Sequence, residues 1–309
     1  MKGRNELKVW VGGCLLGLAL TGCGGGSSSS VSDSVIAQED MVTIDDSNKE
    51  TVISSLVTSQ YDSDALTGTS VAKSAKRTAD EKMVTYVGLN SKSISVPYGI
   101  ERLNNEVGTY ECSVSGTIDY VLYDDGDYAI TFNRCDDGAG VINGKENVSY
   151  TDNELHITVS EFTYQSEYQN YTIDSLDETI TYDDEGYVRT IEYALDGSYE
   201  DESTKIDFAD YRVTENISDE DYVHETVHGY VRTSCLNAWI KVDEDITFNY
   251  WDEDIVSGEV TFSGNDSELR IIFSEEGDVD VYLNDVHTDH YDSESEFESN
   301  YEAEGVCQS

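Results

Sequence analysis

The segment from His224 to His228 reads His-Glu-Thr-Val-His, and these residue types at this spacing could bind and use a zinc ion. On an α-helix, His224 and His228 would share one face about 6 Å apart, because residues four apart are neighbours across a helical turn. Their two imidazoles could then hold one Zn²⁺, while Glu225 would act as a base on a water molecule bound to the metal. In a helical context the segment predicts a zinc-dependent hydrolase.

The same residues resemble the zinc-binding motif of metalloproteases, and the resemblance implies that His224 and His228 are ligands and that Glu225 is the base. The surrounding sequence favours a strand instead, because residues 222–231 alternate between mainly polar and mainly aliphatic side chains. Histidines four residues apart on a strand lie about 13 Å apart, too far to share a metal ion. We therefore expect a non-enzymatic protein, with the zinc metallohydrolase as the alternative.

Two further sets of polar residues could bind cations. His287, Asp289 and His290 offer two imidazoles and a carboxylate, but we expect them to lie in a polar loop near the C-terminus, with metal binding as the alternative. Several acidic segments offer the oxygen ligands that Ca²⁺ prefers, but none has the spacing of an EF-hand loop. We expect these segments to be solvated turns, with Ca²⁺ binding as the alternative. They cover residues 124–127, 183–186, 264–266 and 275–278.

The composition restricts the possible partners. The 309 residues include 18 Lys and Arg against 64 Asp and Glu, a formal net charge of −46, which repels nucleic acid. The 22 tyrosines beside carboxylates suit polysaccharide binding, and cross-strand packing in a sheet explains them as well. We expect no nucleic-acid partner and no cofactor, and we keep an envelope protein, Ca²⁺ and a polysaccharide as candidate ligands.

The chain after about residue 83 has the pattern of a β-sheet. Tyr128, Ile130 and Phe132 alternate with small or polar residues, a period of two that predicts strands with one buried face. We expect residues 83–309 to form an all-β domain, an antiparallel meander of hairpin repeats arranged as a large twisted sheet or a sandwich. An aliphatic-x-Gly repeat recurs at residues 114–116, 142–144, 195–197, 227–229 and 256–258.

The N-terminus carries an export signal. A basic start precedes an apolar run over residues 9–19, which is too short to span a bilayer and typical of a signal peptide. The run ends in Leu20-Thr21-Gly22-Cys23, which resembles the bacterial lipobox. The resemblance implies that residues 1–22 are removed and that Cys23 carries several acyl chains, which anchor the protein stably to a membrane.

The region after Cys23 is predicted to hold the domain away from the membrane. Residues 23–45 are rich in Gly, Ser and Asp and are expected to be a flexible linker. Gly24 stands where lipoproteins of the inner membrane often carry Asp, so the resemblance favours the outer membrane. A capping-box sequence, Ser47-Asn48-Lys49-Glu50, predicts a short helix near residues 48–59, within a helix-and-loop segment over residues 46–82.

Four cysteines follow in the exported part of the chain, an even number suited to disulfides in an oxidising compartment. We expect Cys112 to pair with Cys135, because these residues bracket one predicted hairpin, and Cys235 to pair with Cys307. Four cysteines allow two other pairings, and a metal site is a further alternative.

From about residue 110 to residue 284, the layout of cysteines, glycines and β-branched residues resembles a group of uncharacterised β-repeat lipoproteins of Gram-negative bacteria. The resemblance implies a β architecture and a disulfide between Cys112 and Cys135, and it implies no activity. It is carried by residues 112–116, 130–135, 142–144, 227–231 and 257–264.

Overall fold

A computed structural model describes residues 36–54 and 107–302, except for residues 124–126, 137, 152, 202–204, 218–221 and 250–253. These residues form a 14-stranded antiparallel sheet in which every strand pairs with the next strand in sequence. The strands are β1 (Val107–Glu111), β2 (Ser115–Leu122), β3 (Tyr128–Asp136), β4 (Val141–Tyr150), β5 (Glu154–Gln165), β6 (Gln169–Tyr182), β7 (Val188–Asp201), β8 (Lys205–Ile217), β9 (Tyr222–Thr233), β10 (Trp239–Asn249), β11 (Ile255–Ser263), β12 (Glu268–Phe273), β13 (Val279–Leu283) and β14 (Val286–Tyr291).

The predicted all-β meander is confirmed, and the strands belong to one continuous sheet whose two edges are β1 and β14. Nearly every strand alternates buried and exposed residues, so one face of the sheet (the inner face) carries the core and the other (the outer face) is polar. On β6, for example, Tyr171, Ile173, Leu176 and Ile180 are almost completely buried. Among the described residues, no helix has the length and apolar character of a membrane span.

Two glycines of the predicted repeat, Gly144 and Gly229, lie where a neighbouring strand bulges towards them. A Cβ atom on Gly144 would lie 2.5 Å from the Cα atom of Phe162, and a Cβ atom on Gly229 would lie 2.6 Å from that of Tyr211. Next to these contacts, Glu161 and Asp210 adopt positive φ angles of 53° and 47° at irregularities of β5 and β8. Close backbone contact at a β-bulge therefore explains the glycine at these two positions of the repeat.

A short N-terminal segment packs on the C-terminal half of the sheet. Residues 38–40 form a 3₁₀ helix, and the backbone N–H group of Val42 donates a hydrogen bond to the carbonyl oxygen of Trp239 at 3.0 Å. Ile44 is buried in the core. Residues 38–45 are thus part of the folded domain, and the linker predicted over residues 23–45 extends too far.

The predicted short helix is present over residues 49–54 (α1), but its cap differs from the expected one. The carboxylate of Asp45 accepts a hydrogen bond from the backbone N–H group of Ser47 at 2.8 Å, and the side-chain oxygen of Asn48 accepts one from the N–H group of Asp45 at 2.9 Å. The reciprocal cap is formed by Asp45 and Asn48, and the assignment of Ser47 and Glu50 as the capping pair was wrong.

A second helix, α2 (Glu294–Glu302), packs near α1 and the last strands. Phe297 of α2 lies edge-on to Phe273 of β12, with ring centroids 5.9 Å apart. The hydroxyl of Ser54 in α1 donates a hydrogen bond to the carbonyl oxygen of Tyr301 at 3.3 Å, so α1 contacts the last turn of α2. The two helices therefore cover the inner face beside the C-terminal strands.

The predicted disulfide between Cys112 and Cys135 is confirmed, with Cα atoms 5.4 Å apart. Cys235 is also disulfide-bonded. Its predicted partner, Cys307, lies outside the described residues. The predicted signal peptide, Cys23 and residues 55–106, which include the start of the predicted β domain, lie outside them as well.

The close approach at Gly144 predicts a large loss of stability on substitution. Gly144→Ala should lower the free energy of unfolding by more than about 2 kcal/mol, because the new methyl group adds a backbone clash to the cost of a positive φ angle. Gly277→Ala is the matched control, since Gly277 also has a positive φ angle but open space around it. It should cost about 1 kcal/mol. Urea titration measures both, and equal losses would contradict the clash.

Candidate functional site

The His-Glu-Thr-Val-His segment lies on strand β9, as its alternation predicted. His224 stands opposite Thr247 of β10, and His228 stands opposite Asp243 on the same outer face. Glu225 points to the inner face, where it is completely buried. The structure therefore does not bring these three side chains together, and a shared zinc ion on them has no geometric basis.

Glu225 belongs to a row of five glutamates that are buried on the inner face of the sheet. The row crosses the sheet from β4 to β10, and Glu215 and Glu225 face each other directly on neighbouring strands. Each member occupies a strand position that the alternation of side chains assigns to the core. The buried glutamates are Glu146, Glu178, Glu215, Glu225 and Glu244.

The sequence of β9 shows how this row could have been found. Glu225 lies between Val223 and Val227 on the inner face, whereas His224 and Thr226 point to the outer face. A glutamate two residues away from aliphatic residues that face the core is expected to be buried with them, because alternate residues of a strand share one face. The row is not among the predictions from sequence, which consider Glu225 only as a possible base beside a zinc ion.

Burial raises the pKa of two glutamates in this row, Glu178 and Glu244. Desolvation raises the pKa of Glu178 to about 8, and the nearby carboxylates of Glu215 and Glu146 act in the same direction. The pKa of Glu244 is also raised well above its usual range, first by desolvation and then by Glu225. Glu178 and Glu244 therefore bind protons at a pH where exposed glutamates are ionised.

The outer face pairs its histidines with aspartates. Each of the five histidines has an aspartate carboxylate within ion-pair distance, and the closest pair joins His228 Nδ1 to Asp243 Oδ1 at 2.6 Å. A hydrogen bond from His156 to Asp177 raises the pKa of this histidine, which partial burial opposes. Such bonds are strongest when the imidazole is protonated, because both partners then carry charge.

His287 and His290 do come together, but with a different carboxylate from the expected one. Both imidazoles approach Oδ1 of Asp280 on the neighbouring strand β13, at 2.8 and 2.9 Å. The predicted partner, Asp289, instead forms an ion pair with Lys49 of α1. The candidate trio of His287, Asp289 and His290 is therefore wrong in its carboxylate. The favoured interpretation of these residues as a polar loop is also wrong, because they lie on strand β14.

The acidic turn at residues 183–186 uses its first carboxylate to hold the hairpin. Asp183 accepts hydrogen bonds from the backbone N–H groups of Glu185 and Tyr187, both at 2.9 Å, and it pairs with Arg189. The bond from Tyr187 is the main reason that the pKa of Asp183 is lowered. In this turn the carboxylate is hydrogen-bonded to the backbone, as expected of a turn aspartate.

The predicted turn at residues 124–127 lies mostly outside the described residues.

Tyrosines in the described part of the sheet pack across strands. Tyr164, Tyr171 and Tyr199 are register neighbours on β5, β6 and β7, with successive ring centroids 5.7 and 5.1 Å apart. The most exposed tyrosines, including Tyr168 and Tyr187, lie in turns between strands. Cross-strand packing thus accounts for this buried group of rings.

Comparison with known proteins adds no assignment: no family model, curated protein or solved structure matches the chain.

The raised pKa of Glu178 predicts how stability depends on pH. Between the ordinary glutamate pKa and about 8, the folded state binds a proton at Glu178 that the unfolded state has released, so each pH unit lowers the free energy of unfolding by up to about 1.4 kcal/mol. Glu178→Gln removes this dependence. We expect the variant to be more stable than the wild type at pH 9 and nearly equal to it at pH 5.

Urea titration of both proteins at the two pH values measures this difference. Glu185→Gln is the control, because Glu185 is exposed in a turn, and it should leave the difference near zero at both pH values. A Glu178→Gln variant that is less stable than the wild type at pH 9 would show that the ionised carboxylate has a stabilising partner.

Proposed function

We propose that the protein is a lipid-anchored protein of the cell envelope, without catalytic activity, that binds a partner polypeptide by strand addition to β1. The observation that carries this proposal is an edge of the sheet, β1, which has no second partner strand among the described residues. β1 pairs with β2 on one side, and no described strand pairs with its other side. A free edge offers a row of backbone N–H and C=O groups to an extended segment of another chain.

The side chains of β1 leave this edge accessible. Val107 is 74% exposed, and Tyr110 and, just beyond the strand, Val114 are exposed as well. The strand reads Val-Gly-Thr-Tyr-Glu, so it has one charged residue, at its end, and no proline. Proteins usually block an edge with charges, proline or a bulge, and β1 has none of these in its interior.

A covalent link keeps the open edge in place. The disulfide joins Cys112, directly after β1, to Cys135 on β3, so it ties the β1–β2 hairpin to the body of the sheet. An edge hairpin has few tertiary contacts, and a disulfide limits its freedom to detach. This supports a role in which β1 stays ordered and ready to pair.

The opposite edge of the sheet is protected. β14 contains a bulge at Thr288 and the polar residues His287 and His290. On its inner side, Asp289 pairs with Lys49 of α1. These are devices that prevent edge-to-edge association. The contrast between the two edges favours a specific partner at β1.

The location rests on the lipobox-like sequence ending in Cys23. Cys23→Ser should abolish labelling with radioactive palmitate and release the protein from the membrane fraction, because the acylated thiol is the proposed anchor. Cys14→Ser is the matched control, since Cys14 lies in the proposed signal peptide and should leave both readouts unchanged. Palmitate labelling of the Cys23→Ser protein would refute the anchor.

The strand-addition proposal predicts a crosslink from one edge only. A photoreactive amino acid at Val107, in the full chain exported by a Gram-negative bacterium, should give a covalent adduct in the envelope. The same residue at Val286, which is 63% exposed at the start of β14, is the control and should give none. Mass spectrometry of the adduct should identify one extended segment of a partner polypeptide.

A second variant tests whether the backbone edge is used. Thr109→Lys places a charge in the middle of β1 and should reduce the Val107 adduct by at least about tenfold, because a charge on an edge opposes strand addition. Thr131→Lys puts the same charge on β3, inside the sheet, and should leave the adduct in place. No adduct at Val107, or equal adducts at both edges, would overturn the proposal.

A further inference from the structure

A β-bulge on β14 brings two histidines to one face of the sheet. Asp289 pairs with Val281 and His287 pairs with Tyr282, so Thr288 between them has no partner residue on β13. In a regular strand, His287 and His290 would point to opposite faces, because they are three residues apart. The extra residue shifts the alternation of side chains along β14 by one position, so both imidazoles lie on the outer face.

The hydroxyl of Thr288 holds this irregularity in place. It donates a hydrogen bond to the carbonyl oxygen of Val281 at 3.2 Å, across the bulge between β13 and β14. Bulges commonly redirect side chains beside functional sites. Here the bulge sets His287 and His290 around Asp280, which lies directly opposite His290 on β13.

The three side chains converge on a small volume. One potential ligand atom from each of Asp280, His287 and His290 lies within 4.8 Å of the others. Both imidazole nitrogens are within 2.9 Å of Oδ1 of Asp280. Ligand atoms around a tetrahedral zinc ion are about 3.4 Å apart, so each of these two pairs has to open by about 0.5 Å. All three side chains are one-third to one-half exposed, which leaves room for that movement.

The surroundings fix the orientation of both imidazoles. The second nitrogen of His290, Nε2, lies 3.5 Å from a carboxylate oxygen of the exposed Asp292, an ion-pair contact that favours this orientation of the ring. The ring of His287 packs against the ring of Tyr282, with centroids 5.1 Å apart. Both rings are therefore held by a second contact besides Asp280.

A guanidinium stands near the cluster and has partners of its own. The central carbon of the Arg270 guanidinium lies 5.1 Å from the ring centroid of Tyr282, and one of its nitrogens lies 3.8 Å from a carboxylate oxygen of Asp285. The carboxylate of Asp285 offsets the charge of Arg270, which limits its repulsion of a bound cation.

We propose that Asp280, His287 and His290 form a binding site for one divalent cation of the zinc, copper and nickel class. Two imidazoles and one carboxylate match the preferences of these ions, whereas Ca²⁺ and Mg²⁺ require more oxygen ligands. Water completes the coordination on the exposed side. The strongly negative chain raises the local concentration of any cation at this surface.

Two other histidines of the outer face provide internal controls. His156 and His228 each contact one aspartate, in pairs that contain a single imidazole. These pairs share the chemistry of the Asp280 cluster but offer one nitrogen ligand fewer. A metal ion should therefore discriminate between the cluster and the single pairs.

The test is calorimetric titration of the purified full chain in detergent with ZnCl₂ and, separately, with CuSO₄. We expect one site per chain for each ion. His287→Ala, His290→Ala and Asp280→Asn should each weaken binding by at least about tenfold, since each removes one of three protein ligands. His156→Ala and His228→Ala should leave the affinity unchanged.

Two further readouts separate a lost site from a lost fold. Circular dichroism should show the same thermal unfolding for all variants without metal, and electron paramagnetic resonance of the Cu²⁺ complex should show coupling to two nitrogens in the wild type and to one in His290→Ala. Binding weaker than about 1 mM in the wild type, or unchanged binding after loss of both His287 and His290, would overturn the proposal.

Discussion

The fourteen described strands form one sheet, and β2 to β13 bury side chains on its inner face with a period of two residues between bulges. Complete burial of an aliphatic or aromatic side chain contributes about 1.5–3 kcal/mol, and the row of buried glutamates works against this gain. An ionised carboxylate in such surroundings costs more than one such side chain contributes, so protonation is the more favourable state. The raised pKa values of Glu178 and Glu244 follow from that balance.

Bulges reconcile this strict alternation with a sheet that has to bend and twist. At Gly144 and Gly229, the neighbouring strand approaches so closely that only a residue without a side chain fits. The bulge at Thr288 has a different consequence, because it changes the phase of β14 and places His287 and His290 side by side. The bulges beside Gly144 and Gly229 therefore have a structural role, whereas the bulge at Thr288 determines which side chains can act together chemically.

The two edges of the sheet differ in how they meet solvent. β14 is covered on its inner side by α1 and carries polar side chains, whereas β1 exposes Val107 and is held by the Cys112–Cys135 disulfide. An unprotected edge strand can pair unspecifically with other chains, so the exposure of β1 favours a role of this strand in binding. The proposed lipid anchor would present this edge within the envelope, and the carboxylates of the outer face keep the remaining surface soluble.

The sequence by itself determined the all-β meander, the strand character of β9 and the pairing of Cys112 with Cys135, because alternation, turns and hairpin spacing are local properties. The tertiary structure decided which carboxylate meets His287 and His290, because a single extra residue in β14 reverses the phase of everything after it. It also decided that residues 38–45 belong to the domain, since tertiary contacts such as the hydrogen bond to Trp239 and the burial of Ile44 order a segment whose composition suggests a linker.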